Sequence, residues 1–361
     1  MTAIRRWARL ACLLAMIVVP LGAYVRLSDA GLGCPDWPGC YGHLAVPDQP
    51  HEQAAAARAF PGLPLDAGKA AKEMLHRYLA GGLGFMIAGV AWLDWRRARR
   101  RGEAGWRASQ TLVLVVTGQA LLGMWTVTLL LKPAIVTLHL LGGMLVLSLL
   151  AWLGWRDGRP VGPVSKRERR LAWLAVAVVG GQVVLGGWVS SNYAGLACGT
   201  GVPQCRGQWW PDDMRFADSF HLWRELGQTA DGAMLDLAHL TAIHWLHRLG
   251  ALAVVLLGSV WIRHLWQRTE RRPFALWLAV LLLGQVALGV LNVVWQLPLP
   301  IGRGAQPGRG PAVCQRVLAG LAVADRRPAG TACTPAGGDS GFCTVMVRLR
   351  SCLVHDCMDG R

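Results

Sequence analysis

Seven long apolar stretches, separated by polar segments, set the pattern of this chain. They lie roughly at 7–25, 74–95, 111–131, 134–155, 170–190, 238–262 and 274–297. Each can cross a bilayer core, which takes about 20 residues of helix. The pattern predicts an all-α polytopic membrane protein with two longer polar loops, at 26–73 and 191–237. The first stretch follows Arg5 and Arg6 and has the look of a signal peptide. No convincing small-residue cleavage site follows it, so it reads as a retained span.

The stretches repeat. LGAYVRLSDAGLGC from Leu21 matches LGGWVSSNYAGLAC from Leu185, and each segment runs on to a second cysteine, Cys40 or Cys205. HRYLAG from His76 matches HRLGA from His247, and GQALLG from Gly118 matches GQVALG from Gly284. The spacing between partners stays near-constant, so the halves run in register. The expected architecture is two tandem four-helix bundles, residues 1–160 and 161–301.

The second bundle lacks its last helix, giving seven spans instead of eight. The fourth span of the first half starts after Lys132–Pro133 and carries His139. The partner of His139 is expected near residue 305, where the chain reads IGRGAQPGRGP. From Gly302 to Arg361 no apolar run nears spanning length, tryptophan and lysine vanish, and five of the ten cysteines appear. The segment 302–361 is therefore an aberrant tail. It reads either as a natural disordered tail or, the reading favoured here, as the product of a frame change near residue 302.

Composition and charge sharpen this picture. Only 16% of residues are charged, yet the net charge is +16. That excess does not point to nucleic acid, because it sits in short clusters between spans. Arg5, Arg6 and Arg9, the Arg96–Arg101 run, Lys166–Arg170 and Arg263–Arg272 all fall on one side if every span crosses. The positive-inside rule makes that side, and the N-terminus, cytoplasmic. The two long loops face outward, where disulfides are permitted. Cys34 with Cys40, and Cys198 with Cys205, are candidate pairs, either structural clips or, for the first, a redox couple.

Ionisable residues inside spans are costly and mark function. Glu73 and His76 stand three apart on one helix face, with Arg77 following. His139 opens the fourth span. From each histidine to the cytoplasmic arginines is about 17–20 residues, roughly 25–30 Å. Two imidazoles at similar depth on different helices suit axial ligation of a haem iron between bundle helices. Interfacial hydrogen-bonding histidines are the structural alternative. His247, followed by Arg248, repeats the arrangement. Arg77 and Arg248 suit haem propionates or the membrane interface. His239 reads as interfacial. His244 stands where the first half has Glu73. A carboxylate can relay protons or stabilise a cation, so the first half reads as the reaction site and the second as the electron-transfer site. A first-turn acid favoured by the helix dipole is the structural alternative for Glu73.

VRLSDAGLGCPDWPGCYG (25–42), KEMLHRYLAG (72–81), TLHL (137–140) and AIHWLHRLGA (242–251) together resemble haem A synthase, a cytochrome oxidase assembly family. The likeness is to its proteobacterial and mitochondrial branch and covers residues 1 to about 301. The resemblance implies an oxidoreductase that converts haem O to haem A, oxidising a ring methyl to a formyl by successive hydroxylations. It implies His76 and His139 as iron ligands of the substrate half, Glu73 as its essential acid, and His247 as a ligand of haem b in the second half. Cys34 and Cys40 match the family's outer-loop pair. The implied partners are haem O, the haem O synthase supplying it, an electron donor the sequence does not identify, membrane lipid and a homo-oligomeric copy. The implied location is the bacterial inner membrane. The chain departs from the family at its last ligand, a histidine in an Ala-His-Asn setting. Ala305–Gln306–Pro307 can be encoded by GCA CAA CCx, and one base along this contains codons for His–Asn. Activity of this chain is accordingly in doubt. Rival readings are a membrane thiol–quinone oxidoreductase working through Cys34 and Cys40, and a non-catalytic haem-binding assembly protein.

Overall fold

A computed structural model describes residues 2–102, 107–155 and 165–296. The expectations for 302–361, the aberrant tail and the frame change, lie outside these described residues. Within them the chain is helical: α1 (Thr2–Leu27), α2 (Pro50–Ala59), α3 (Ala67–Arg101), α4 (Arg107–Thr128), α5 (Pro133–Trp155), α6 (Lys166–Ser191), α7 (Leu237–Trp266) and α8 (Arg272–Val294). All except α2 are long and apolar enough to cross a membrane, in line with the seven expected spans.

Local chemistry sets the helix ends. Asp66 caps α3, its side chain accepting the Lys69 N–H at 3.0 Å. The far end of α3 carries Arg99, Arg100 and Arg101 and stops at Gly102, whose φ of 63° glycine adopts without strain. Ser165 and Glu168 form a reciprocal capping box on α6. Asp236 caps α7 through the His239 N–H at 3.1 Å, and that bond holds its carboxyl below the usual range.

The expected span 74–95 proves too short, because α3 begins at Ala67. Lys69 and Lys72 make that opening look like loop in the sequence, but the Asp66 cap continues the helix outward. Glu73 therefore sits in the second turn of α3. No acid occupies the first turn, which removes the helix-dipole account of this residue.

Helices α1, α3, α4 and α5 close a ring, each packing on two neighbours. Ala8, Ala11 and Ala15 on α1 are buried and let backbones approach closely, as small residues do in lipid. Ile87, Val90, Leu112 and Leu150 fill the space between them. Helix α5 also packs on α6, and α6, α7 and α8 follow as an open arc. By sequence register α6, α7 and α8 answer to α1, α3 and α4. Ala275 is the only buried residue described on α8, whose leucines and valines are exposed or half-buried.

The two disulfide-bonded loops share one local turn. Cys40 and His43 exchange backbone hydrogen bonds, as do Cys205 and Gln208. Tyr41 and Gly42 have φ of 54° and 80°, and Arg206 and Gly207 have 54° and 82°. Two positive φ values in succession make a type I′ turn, the reason a glycine stands second in each.

Candidate functional site

The end of the first bundle that carries the Cys34–Cys40 loop brings Glu73, Arg77 and that disulfide together. Cys34 is bonded to Cys40, and both are fully buried. The Cys34 N–H donates to Glu73 Oε2 at 3.0 Å. Glu73 Oε1 pairs with Arg77 Nη2 at 2.5 Å, with both side chains largely buried. Arg77 Nη1 donates to the carbonyls of Asp36 (2.9 Å), Pro38 and Gly39. The carboxylate is thus held on one side by a loop amide and on the other by the cation that gathers that loop.

One turn further in, the His76 ring lies against Gly22 of α1. A Cβ on Gly22 would come within 2.8 Å of His76 Cε1, so only glycine leaves room for the ring. His139 on α5 faces Gly123 of α4 in the same way, at 3.1 Å. His76 on α3 and His139 on α5 stand on helices of the same closed ring. Each keeps a buried Nδ1 without a hydrogen-bond partner among the described residues. Gln119 of α4 donates to the His139 main-chain carbonyl at 2.6 Å.

The second half sets the same parts differently. Cys198 is bonded to Cys205, and the Cys198 N–H donates to His244 Nδ1 at 3.4 Å. Arg248 Nε donates to His244 Nε2 at 3.3 Å. Its Nη1 donates to the carbonyls of Gly201 (2.8 Å), Pro203 (3.4 Å) and Gln204 (2.6 Å). His244 therefore stands where Glu73 stands, within reach of the same two kinds of donor, but a neutral imidazole has a single acceptor nitrogen and can accept from only one of them. The His247 ring faces Gly186 of α6, where a Cβ would come within 3.3 Å. His239 is buried against its capping neighbour Asp236, 2.7 Å from Nδ1 to Oδ1.

A profile of the cytochrome oxidase assembly protein family matches residues 5–303, stopping where the apolar pattern stops. The chain belongs to this family. It is 41% identical over 297 residues to the haem A synthase of Shewanella oneidensis, covering 81% of this chain and 88% of that one. It is 28% identical over 331 residues to that of Parvibaculum lavamentivorans, covering 85% and 90%. With that of Rhizorhabdus wittichii it shares 27% over 321 residues, covering 81% and 86%. Family membership agrees with seven apolar helices in making this a multi-pass membrane protein.

Glu73 and Arg77 are paired on α3, His76 lies on the same helix, His139 stands on α5 of the same ring, and His247 with Arg248 stands on α7. Both arginines are engaged with loop carbonyls of their own disulfide loops. The ring-seating glycines and the glutamines are additions that the ionisable residues alone did not disclose. Their signal was the GQ pair already visible in the repeat, at Gly118 and Gly284.

Proposed function

We propose that the chain is a haem A synthase of the bacterial inner membrane, N-terminus cytoplasmic, oxidising a ring methyl of haem O to the formyl of haem A by successive hydroxylations. The observation that carries this reading is the His76–His139 pair. Imidazoles on α3 and α5, each seated against a glycine and each with a buried Nδ1 that has no partner among the described residues, belong to the ring of helices that holds the buried Glu73, in a chain whose relatives carry that name.

The residues present fit a haem in the first half. Two glycines clear the space the imidazoles occupy, and each ring holds a buried nitrogen with no protein partner. His76 and His139 would hold the iron of the substrate. Glu73 lies on the same face of α3 as His76. Its oxygens accept from the Cys34 N–H and from Arg77, and a carboxylate so placed can hold or pass a proton next to the substrate. Arg77 balances its charge and fixes the loop above it.

In the second half His247 would hold one side of a haem b, which when bound supplies a one-electron centre. The ligand opposite does not come from the described residues. Among the described residues, no atom outside its own helix backbone lies within 4 Å of where a Cβ on Gly289, the counterpart of Gly123, would stand. The sequence beyond Gly302 offers only His355, far from the expected position. We infer incomplete ligation there and impaired electron delivery. Burial of both Cys34 and Cys40 supports a structural clip over thiol exchange, which needs access to sulfur.

Co-expression with a haem O source and pigment analysis tests the reading. Haem A that forms with His76, His139 and Glu73 intact and vanishes when any is replaced supports it. Haem A formation indifferent to these residues would overturn it.

A further inference from the structure

The glutamine and glycine that meet each histidine come from one short stretch of a neighbouring helix. In α4 the stretch is Gly118-Gln119-Ala-Leu-Leu-Gly123, and in α6 it is Gly181-Gln182-Val-Val-Leu-Gly186. Gln119 Nε2 donates to the His139 carbonyl at 2.6 Å, while Gly123, one turn on, faces the His139 ring. Gln182 Nε2 donates to the His247 carbonyl at 3.1 Å, while Gly186 faces the His247 ring. Gln182 also touches that ring, 3.1 Å from Nδ1.

The receiving helices match as well. His139 and His247 are each followed three residues later by glycine, Gly142 and Gly250. A Cβ at either glycine would collide with the Oε1 of the same glutamine. Each amide is therefore held between the carbonyl of the histidine and the bare backbone one turn away. Ordinary interhelical hydrogen bonds in lipid need no such matched pair of glycines, one under the ring and one under the amide.

We propose that the Gly-Gln-x-x-x-Gly stretch is a histidine seat, in which Gln119 and Gln182 are positioning residues that set the depth and ring orientation of His139 and His247. A residue beside a metal-binding imidazole tunes the metal by fixing how the ring is presented. The proposal rests on the reading of these histidines as haem ligands. It separates His139 and His247 from His76, which has the glycine, Gly22, but has Val18 where the second half has Gln182. It also explains the third copy, Gly284-Gln285-Val-Ala-Leu-Gly289 on α8, as a seat whose histidine is not among the described residues.

The test uses the full-length protein with haem b as probe, comparing wild type with Gln119→Met, Gly142→Ala and Gln182→Met. Methionine keeps the length of glutamine and removes the donor. Gly142→Ala displaces the same amide from the other side without altering Gln119. Gln119→Met and Gly142→Ala should shift the low-spin electron paramagnetic resonance signal of the first-half haem alike. Gln182→Met should shift only the second-half signal. An unchanged signal in Gln119→Met, or equal disturbance of both halves by any one variant, would overturn the proposal. A wild type that takes up no haem would sink the proposed function instead. The haem-free protein then still decides on the seat. A single sharp His139 imidazole resonance, broadened in both Gln119→Met and Gly142→Ala, supports it, and one unaffected by either refutes it.

Discussion

The backbone N–H of Cys34 donates to Glu73 Oε2 at 3.0 Å, so the disulfide loop and the buried acid beside His76 form one unit. In the other half His244 stands in the same place, with the Cys198 N–H at Nδ1 and Arg248 Nε at Nε2, and a neutral ring accepts from one of the two. Glu73→His should therefore keep one of the loop amide and the arginine partnered while removing the negative charge. The expected outcome is thermal stability between those of wild type and Glu73→Ala, retained haem binding and loss of haem A formation. Glu73→Ala leaves Arg77 without its buried partner and should cost about 3 kcal/mol besides. Melting curves and pigment analysis of both variants check this. Full haem A yield from Glu73→His would show that the acid works only as a loop brace.

The pair Cys34–Cys40 closes a short loop and is buried. Removing both sulfurs by Cys34→Ala and Cys40→Ala should destabilise the fold by about 2 kcal/mol, the value expected for so short a loop. Haem binding should survive, since Glu73 still finds the backbone amide of residue 34. If haem A formation stopped while stability and haem spectra stayed at wild-type levels, the clip assignment would fall and thiol chemistry would return.

Asp236 gives a pH dependence. Its carboxyl is held below the usual range, chiefly by the His239 backbone N–H, so its folded value lies under the unfolded 3.8. Its contribution is fully present above that unfolded value and is lost as pH falls through the lower folded one. Wild type should lose melting temperature in that acid range more steeply than Asp236→Asn, which keeps a capping acceptor but does not titrate. Parallel curves for the two would remove Asp236 from the account of α7.

Much of this was legible in the sequence, for physical reasons. Seven spans follow from apolar length alone, and His76, His139 and His247 stand out because ionisable groups in lipid are expensive. Helix α2 was missed inside a polar loop, although Pro50 at its first turn and Glu52 reaching back to Gln49 are a start signal. The bond between Cys34 and Glu73 could not be read, because it needs the folded loop between residues far apart in sequence. Arg77 was read as a ligand for propionate or a surface anchor. The carbonyls of Asp36, Pro38 and Gly39 converge on it only once the loop closes. Gln119 was visible as part of the repeat, but glutamine in a span carries no charge and drew no attention.

The asymmetry of the two halves gives the last prediction. In the first half α5 fills the gap between α1 and α4 and brings His139 to Gly123. In the second, α6, α7 and α8 form an open arc, and the counterpart seat at Gly289 meets nothing within 4 Å among the described residues. Purified chain should therefore carry one low-spin bis-histidine haem, lost in His139→Ala and in His76→Ala. Any haem at His247 should be high-spin or open to added imidazole, because no second ligand for it is found among the described residues. Titration with imidazole should convert that population to low-spin and leave the first untouched. Two low-spin bis-histidine haems per chain, both indifferent to imidazole, would mean that a histidine beyond residue 296 reaches the Gly289 seat after all.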